Sequence, residues 1–276
     1  MAGVEAWLGE PVADRAPRVL CIGGTDPTGG AGLAADVRAL SCLGSYAATV
    51  VTAVTVQTST SVSDIFAVPA SIVRAQIAAA LAEPGCDVIK TGMLGGEDAV
   101  RAVAEAPFGP THRLIVDPIV SSSSGRRLLS NEGIDLLRSL LLPRAALVTP
   151  NRPELEILLD RKLLTDEDVQ LGASELLATG CGAVLVKGGH AEGESSTDFL
   201  VTLDGDSCKI ERPRLATRAR GTGCTYAAAI AAGMAEGLTL VGAAERARDY
   251  VQSALEQQSI PARSGFLLPP LCRFTS

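Results

Sequence analysis

Short apolar runs alternate with longer stretches of helical spacing along most of the chain. Arg18–Ile22 is an apolar run of the kind that forms a buried parallel strand. It enters a glycine-rich loop, Gly23–Gly32, and a helix from about Ala31 to Leu43 follows. Tyr46–Val56, rich in Val and Thr, returns as a second strand and ends at Gln57. Ser71–Ala82 and Glu97–Ala106 have helical spacing, while Asp87–Lys90 and Leu114–Val120 read as strands. Gly133–Leu142 is helical and Ala145–Thr149 is a strand; Pro153 then falls in the first turn of a helix, where its missing N–H costs nothing. Thr165 and Asp168 have capping-box spacing for a helix ending near Gly180. Ala183–Lys187 is another strand, and Phe199–Leu203 with Cys208–Arg212 suits a hairpin about Asp204-Gly205. A helix of small residues, Tyr226–Met234, and a last one from about Leu240 to Gln257 complete the pattern.

Strands alternating with helices predict an α/β fold of three layers, a central mainly parallel sheet covered on both faces. Ligands in such sheets bind beyond the strand carboxyl ends. Gly23–Gly32, Gln57, Gly92-Met93, Asp117, Asn151–Glu154 and Lys187-Gly188 all fall there, which predicts one large site. Residues 1–17 read as a loosely attached extension, and Ser121–Gly125 as a flexible polar loop, a candidate lid. There is no internal repeat and no long linker.

The richest chemistry lies in Arg220-Gly221-Thr222-Gly223-Cys224-Thr225. A glycine turn opening a helix gathers unpaired N–H groups and the positive end of the helix dipole, a cradle for an anion. A thiol in that field is expected to ionise more easily, since helix N-termini lower a cysteine's pKa from about 8.5. An inert buried cysteine at a plain helix start is the competing reading. The first glycine loop also invites a dinucleotide reading, because Gly30-x-Gly32-x-x-Ala35 fits the looser fingerprint. Gln57, where an acidic residue would hold the ribose, argues against it. No G-x-x-x-x-G-K-[ST] sequence occurs.

Composition narrows the function classes. Aromatics are 3% of the 276 residues, too few for base-stacking platforms, and a net charge of -7 opposes general binding to nucleic acid. A small phosphorylated ligand held by local dipoles remains compatible. Seven cysteines without a C-x-x-C pair, and only two histidines, argue against zinc or haem. Cys21, Cys42, Cys86, Cys181, Cys208 and Cys272 read as reduced packing thiols, and His190 as structural. Met1–Pro17 lacks a signal pattern, and the most apolar long stretch, 226–244, is interrupted by Glu236 and glycines, so no membrane partner is expected and the chain reads as cytoplasmic.

Six motifs in order, Gly-Thr-Asp-Pro-Thr-Gly-Gly-Ala-Gly-Leu-x-Ala-Asp (24–36), Thr-Ala-x-x-x-Gln (52–57), Lys-Thr-Gly-Met-Leu (90–94), Thr-Pro-Asn-x-x-Glu (149–154), Val-Lys-Gly-Gly-His (186–190) and Gly-Thr-Gly-Cys-Thr (221–225), resemble those of hydroxymethylpyrimidine/phosphomethylpyrimidine kinases. That family belongs to the ribokinase-like superfamily and serves thiamine biosynthesis. The resemblance covers roughly residues 18 to 255 and implies a kinase domain over 18–260 with a tail at 261–276. It implies that Gln57 pairs with the aminopyrimidine through its donor and acceptor, with Asp36, Gly24, Met93 and Val120 shaping the pocket. Cys224 would stand where the wider superfamily has a catalytic aspartate. Lys187, Gly221, Thr222 and Gly223, with Arg220, would hold the phosphates of ATP. Asn151 and Glu154, with Asp117 near its strand end, would organise Mg²⁺ through water. The reaction implied is transfer of a phosphoryl group to the hydroxymethyl oxygen, then a second transfer onto the monophosphate; the fold is compatible with a homodimer, which no sequence feature establishes. Three departures stand out: Arg220 where the family has His, a lid reading Ser-Ser-Ser-Ser-Gly (121–125), and a C-terminus without the usual Gly/His ending. The alternatives are a pyridoxal or pyridoxine kinase of the same superfamily and a non-catalytic thiamine-precursor binding protein.

Overall fold

The computed structural model describes residues 15–122, 124–188, 193–216, 219–257, 260–262 and 265–267. In chain order the elements are β1 (Arg18–Gly24), α1 (Gly32–Cys42), β2 (Tyr46–Gln57), β3 (Val62–Ala67), α2 (Ala70–Ala82), β4 (Val88–Thr91), α3 (Glu97–Ala104) and β5 (Arg113–Val116). Then come α4 (Asn131–Leu136), β6 (Leu147–Val148), α5 (Arg152–Leu159), α6 (Asp166–Leu177), β7 (Ala183–Val186), β8 (Ser195–Thr202) and β9 (Ser207–Pro213). β10 (Ala219–Arg220), α7 (Thr222–Ala235), α8 (Leu240–Glu256), β11 (Ile260–Ala262) and β12 (Gly265–Leu267) complete the described chain.

Nine strands form one sheet in the order β3-β2-β1-β4-β5-β6-β7-β8-β9. The pairs from β2 through β7 are parallel; β3, β8 and β9 join antiparallel at the two edges. Strand side chains alternate between faces, and the core divides accordingly. Leu20, Ile22, Ile89 and Val116 face one apolar layer with α2 to α6, whereas Val19, Cys21, Val88 and Ile115 face the other, under α1, α7 and α8. The three-layer α/β/α expectation holds, and the continuous apolar runs are those of strands buried on both sides. All the candidate segments lie at the carboxyl edge of this sheet.

Local chemistry explains several boundaries. Asn151 and Glu154 cap α5 reciprocally with Pro153 in its first turn, and Thr165 with Asp168 caps α6 in the same way. The hairpin about Asp204-Gly205 forms, with longer arms than its apolar cores suggest. The helix expected over 133–142 is α4 running into a π-helical turn, Leu137–Leu141, and a 3₁₀ turn, Leu142–Arg144.

Sequence patterning misses β3, because only Val62 of its six residues is buried, so no alternation marks it. It also misses the small sheet β10-β12-β11. Cys42 is disulfide-bonded, against the expectation of a reduced packing thiol. Cys21 and Cys181 are buried packing thiols and Cys86 and Cys208 are half-buried; Cys272, His190 and residues 1–14 lie outside the described residues. The nearest described part of the N-terminal extension is held down: Arg15 contacts both oxygens of Asp87 at 3.0 and 2.5 Å. Among the described residues no helix is long and apolar enough to cross a membrane.

Candidate active site

The glycine loop is stitched to β2. Thr25 N–H donates to Ala53 O at 2.9 Å, and Thr55 Oγ1 donates to Thr25 O at 2.8 Å. Gly24 lies against Met93, since a Cβ at Gly24 would stand 3.1 Å from the Met93 sulfur. Met93 is in turn fixed by Thr52 Oγ1, which donates to its carbonyl at 2.8 Å. Gln57 ends β2, half-buried, and its carboxamide hydrogen-bonds to none of the described residues. Val120 is buried. Thus Gly24 and Met93 share one wall.

The anion turn packs directly on that loop. Gly221 has φ +76°, and a Cβ there would meet Gly30 O at 2.0 Å. Only glycine satisfies both demands. The turn opens α7, which has no side-chain N-cap, so the first N–H groups of the helix have none of the usual hydroxyl or carboxamide acceptor. Cys224 lies in the first turn of α7, where the Gly32 N–H reaches its thiol. Here the expectation of an easily ionised thiol is corrected. Burial pushes Cys224 up to about 11, against the pull of Lys90 and of the Gly32 N–H, and the carboxylates of Asp36 and Asp117 add to the rise. Desolvation outweighs the attraction of Lys90 and of the Gly32 N–H.

On the other side of the turn sits Lys187. A Cβ on Gly223 would come 3.4 Å from its Nζ, so the ammonium stands against the start of α7. Lys187 Nζ donates to Asp117 Oδ1 at 2.6 Å and lies 3.8 Å from Glu154 Oε2. Lys187 and Asn151 are bridged in parallel register, with Lys187 N–H donating to Pro150 O at 2.9 Å, which brings the ends of β6 and β7 together. Burial alone would lower the Lys187 pKa; Asp117 and Glu154 outweigh it and hold the ammonium above its ordinary value.

Asn151 and Glu154 are both used as a capping box, so their spacing has a local explanation. Burial distinguishes Glu154 from an ordinary first-turn acid. It is 7% exposed, and burial pushes its pKa up to about 7 despite Lys187, with Asp117 adding to the rise. Asp117 Oδ1 also accepts from Thr149 Oγ1, while its buried Oδ2 has no hydrogen-bond partner among the described residues. A buried carboxylate oxygen with unused acceptor capacity, beside a second buried carboxylate, is a donor set for a hard cation. No group of three or more His, Cys, Asp or Glu among the described residues could hold a metal alone. Next to Lys187 a cavity of about 440 Å³ opens between β7, β8, α5 and α6, bounded by Arg152, Val169, Val186, Gly188 and Phe199.

Two residues take places that the motifs alone do not indicate. Asp36 faces inward from α1, and both of its oxygens accept from Lys90 Nζ, at 3.0 and 2.9 Å. Lys90 escapes a reading of the sequence, although an isolated lysine in the apolar run Val-Ile-Lys and an aspartate spaced with Leu33 and Leu40 on one helix face are visible signals. Burial alone would drive Lys90 down; Asp36, Cys224 and Asp117 keep it above its ordinary value. Arg220 faces the glycine loop and the end of β2, contacting Asp26, Thr28 and Thr58. A further buried cluster supports the Lys187 loop: Asp198 Oδ1 accepts from Gly188 N–H at 2.7 Å and Oδ2 accepts from Tyr226 Oη at 2.8 Å.

The chain has close relatives. A family model described as phosphomethylpyrimidine kinase matches residues 26–267. The hydroxymethylpyrimidine/phosphomethylpyrimidine kinase of Escherichia coli (strain K12) is 39% identical over 241 residues, 86% of this chain and 90% of that protein. Among solved structures, the phosphomethylpyrimidine kinase from Clostridium difficile 630 superposes with a TM-score of 0.74 at 30% identity, over 86% of this chain and 99% of that one. The pyridoxal kinase from Staphylococcus aureus in complex with AMP-PCP and pyridoxal gives 0.78 at 28% identity, over 92% and 93%.

Proposed function

The chain belongs to the phosphomethylpyrimidine kinase family, and from that premise we propose that it phosphorylates 4-amino-5-hydroxymethyl-2-methylpyrimidine with ATP and then phosphorylates the monophosphate to the diphosphate. The observation that carries this reading is the meeting of Lys187 with the glycine turn at the head of α7. There a fixed cation, helix N–H groups with no side-chain cap among the described residues and a helix dipole converge. Phosphoryl transfer needs positioning and charge neutralisation more than covalent help, and this arrangement supplies both.

In the first step, Cys224 takes the proton of the hydroxymethyl group. The freed oxygen bonds to the γ-phosphorus, and the bond from that phosphorus to the β–γ bridging oxygen breaks, releasing ADP. Lys187 and the N–H groups of 221–224 hold the transferred group. Asp117 and Glu154, with Asn151 beside them, would hold Mg²⁺ through water, which when bound offsets phosphate charge. Gln57 binds the aminopyrimidine edge, and Gly24, Met93, Val120 and Asp36 shape its pocket, Asp36 being held in place by Lys90. In the second step the nucleophile is already an oxyanion, so a base matters less.

The reaction belongs in the cytoplasm, where ATP is available. A homodimer is part of the reading: Val54, Val56 and Phe66 form an exposed apolar face on β2 and β3, with Val54 directly opposite Phe66. Sedimentation would show twice the chain mass, and a monomer at all concentrations would remove this element. Pyridoxal kinase is the rival reading, favoured by the likeness to the Staphylococcus aureus structure. Turnover of both alcohols in competition decides between them: the aminopyrimidine is expected to have the larger kcat/KM.

A further inference from the structure

Arg220, which the motif resemblance assigns to the ATP phosphates, is engaged in this structure by three other segments of the chain. Its side chain is 12% exposed and reaches the glycine loop at Asp26 and Thr28 and the chain after β2 at Thr58. Nη1 donates to Thr58 O at 2.9 Å and lies 3.4 Å from Thr28 Oγ1. Nη2 stands 3.5 Å from Asp26 Oδ2, a buried carboxylate oxygen with no hydrogen-bond partner among the described residues. Asp26 Oδ1 is engaged separately, accepting from Thr28 N–H and Oγ1 at 2.8 and 2.7 Å. One planar, permanently charged fork therefore ties three segments together: the loop at Asp26, the chain immediately after Gln57, and the turn that carries Cys224. Gly221, the next residue, already packs on Gly30.

We propose that Arg220 is a positioning residue for the alcohol substrate, fixing the Gln57 end of β2 and the glycine loop relative to Cys224, and is not a phosphate contact. This rests on the reading of Gln57 as the aminopyrimidine-binding residue. Two consequences separate it from a phosphate role. The guanidinium's charge is spent on Asp26, so Asp26 belongs to the same unit although no motif assigns it chemistry. The geometry also requires a fork, so lysine, a point charge, replaces arginine only in part.

The test is steady-state kinetics of wild type, Arg220→Gln, Arg220→Lys, Asp26→Asn and the double variant Arg220→Gln/Asp26→Asn, varying hydroxymethylpyrimidine and ATP separately. Loss of a charge-assisted bond predicts a rise of about tenfold in KM for the alcohol, with KM for ATP within about twofold of wild type. Arg220→Lys falls between, and the double variant is no worse than the worse single one, because the two residues act as a unit. A rise in KM for ATP with KM for the alcohol unchanged overturns the proposal in favour of a phosphate contact. Lower thermal stability with both KM values unchanged overturns it in favour of a purely structural role. If wild type binds hydroxymethylpyrimidine but does not turn it over, the kinase reading fails by itself. Calorimetric Kd values for the alcohol in wild type and Arg220→Gln then decide the Arg220 question alone: weaker binding in the variant supports it, equal binding sinks it.

Discussion

The ammonium of Lys90 lies 3.0 and 2.9 Å from the two carboxylate oxygens of Asp36, and both side chains are almost wholly shielded from solvent. The pair joins β4 to α1. A buried ion pair is costly to break from one side, because the remaining charge has no compensation. Lys90→Met is therefore expected to lose about 3–5 kcal/mol of stability. Lys90→Met/Asp36→Leu, which removes both charges, should recover much of that loss without restoring substrate binding. Denaturant titration of Lys90→Met, Asp36→Leu and the double variant checks this; a loss in the double variant equal to the sum of the two single losses would mean the pair is not coupled.

Cys224→Ala should separate the two steps. General base catalysis is commonly worth about 10²–10⁴-fold, so the first phosphorylation should fall by about 10²-fold or more. The second, whose nucleophile needs no deprotonation, should fall far less. Mono- and diphosphate product, followed from each starting compound, measures both rates. Equal losses would assign Cys224 a structural role.

The raised thiol pKa gives a pH signature with a definite sign. Burial moves Cys224 from the ordinary value of 9.0 to about 11. Below that range the thiolate fraction grows tenfold per pH unit, so the first step should accelerate with pH between about 7 and 9 while the second stays nearly flat. Stability runs the other way. Between 9.0 and about 11 the folded chain keeps a proton that the unfolded chain has released, so stability falls as pH rises through that window. Cys86 and Cys21 are shifted upward by burial too and add to the fall. Cys224→Ala should make the alkaline loss shallower, measured by thermal unfolding at pH 8 to 11.

Two glycines of one turn should respond oppositely to alanine. Gly221→Ala places a Cβ 2.0 Å from Gly30 O on a residue at φ +76°, so stability should drop by at least about 1–3 kcal/mol. Gly223 is helical, and its added Cβ would only touch Lys187 Nζ at 3.4 Å. Gly223→Ala should fold as well as wild type yet raise KM for ATP, because the new methyl touches the ammonium proposed to hold phosphate. Unfolding midpoints and KM values of the two variants test the distinction.

Much of this arrangement is legible in the chain. The apolar runs give the parallel strands because burial on both faces leaves little room for polar residues, and Pro153 with the Asn151–Glu154 spacing marks α5 by local hydrogen bonding alone. β3 is not legible: it hangs on the sheet edge with most of its residues exposed, so tertiary pairing and not pattern defines it. The glycine turn at 221–224 announces an anion cradle, but not that burial pushes the Cys224 thiol up, which depends on what packs around it. The partners of Asp36 and Arg220 also come from distant segments, 54 and 162 positions away in Lys90 and Thr58, and no spacing rule reaches that far.

The central claim is tested most directly by incubating the purified chain with ATP, Mg²⁺ and 4-amino-5-hydroxymethyl-2-methylpyrimidine and quantifying the monophosphate and diphosphate over time, with pyridoxal in a parallel reaction. The account predicts that the monophosphate accumulates first and the diphosphate follows, with kcat/KM for the pyrimidine exceeding that for pyridoxal. Tight binding of the pyrimidine with no ATP-dependent product, or turnover of pyridoxal alone, would contradict it.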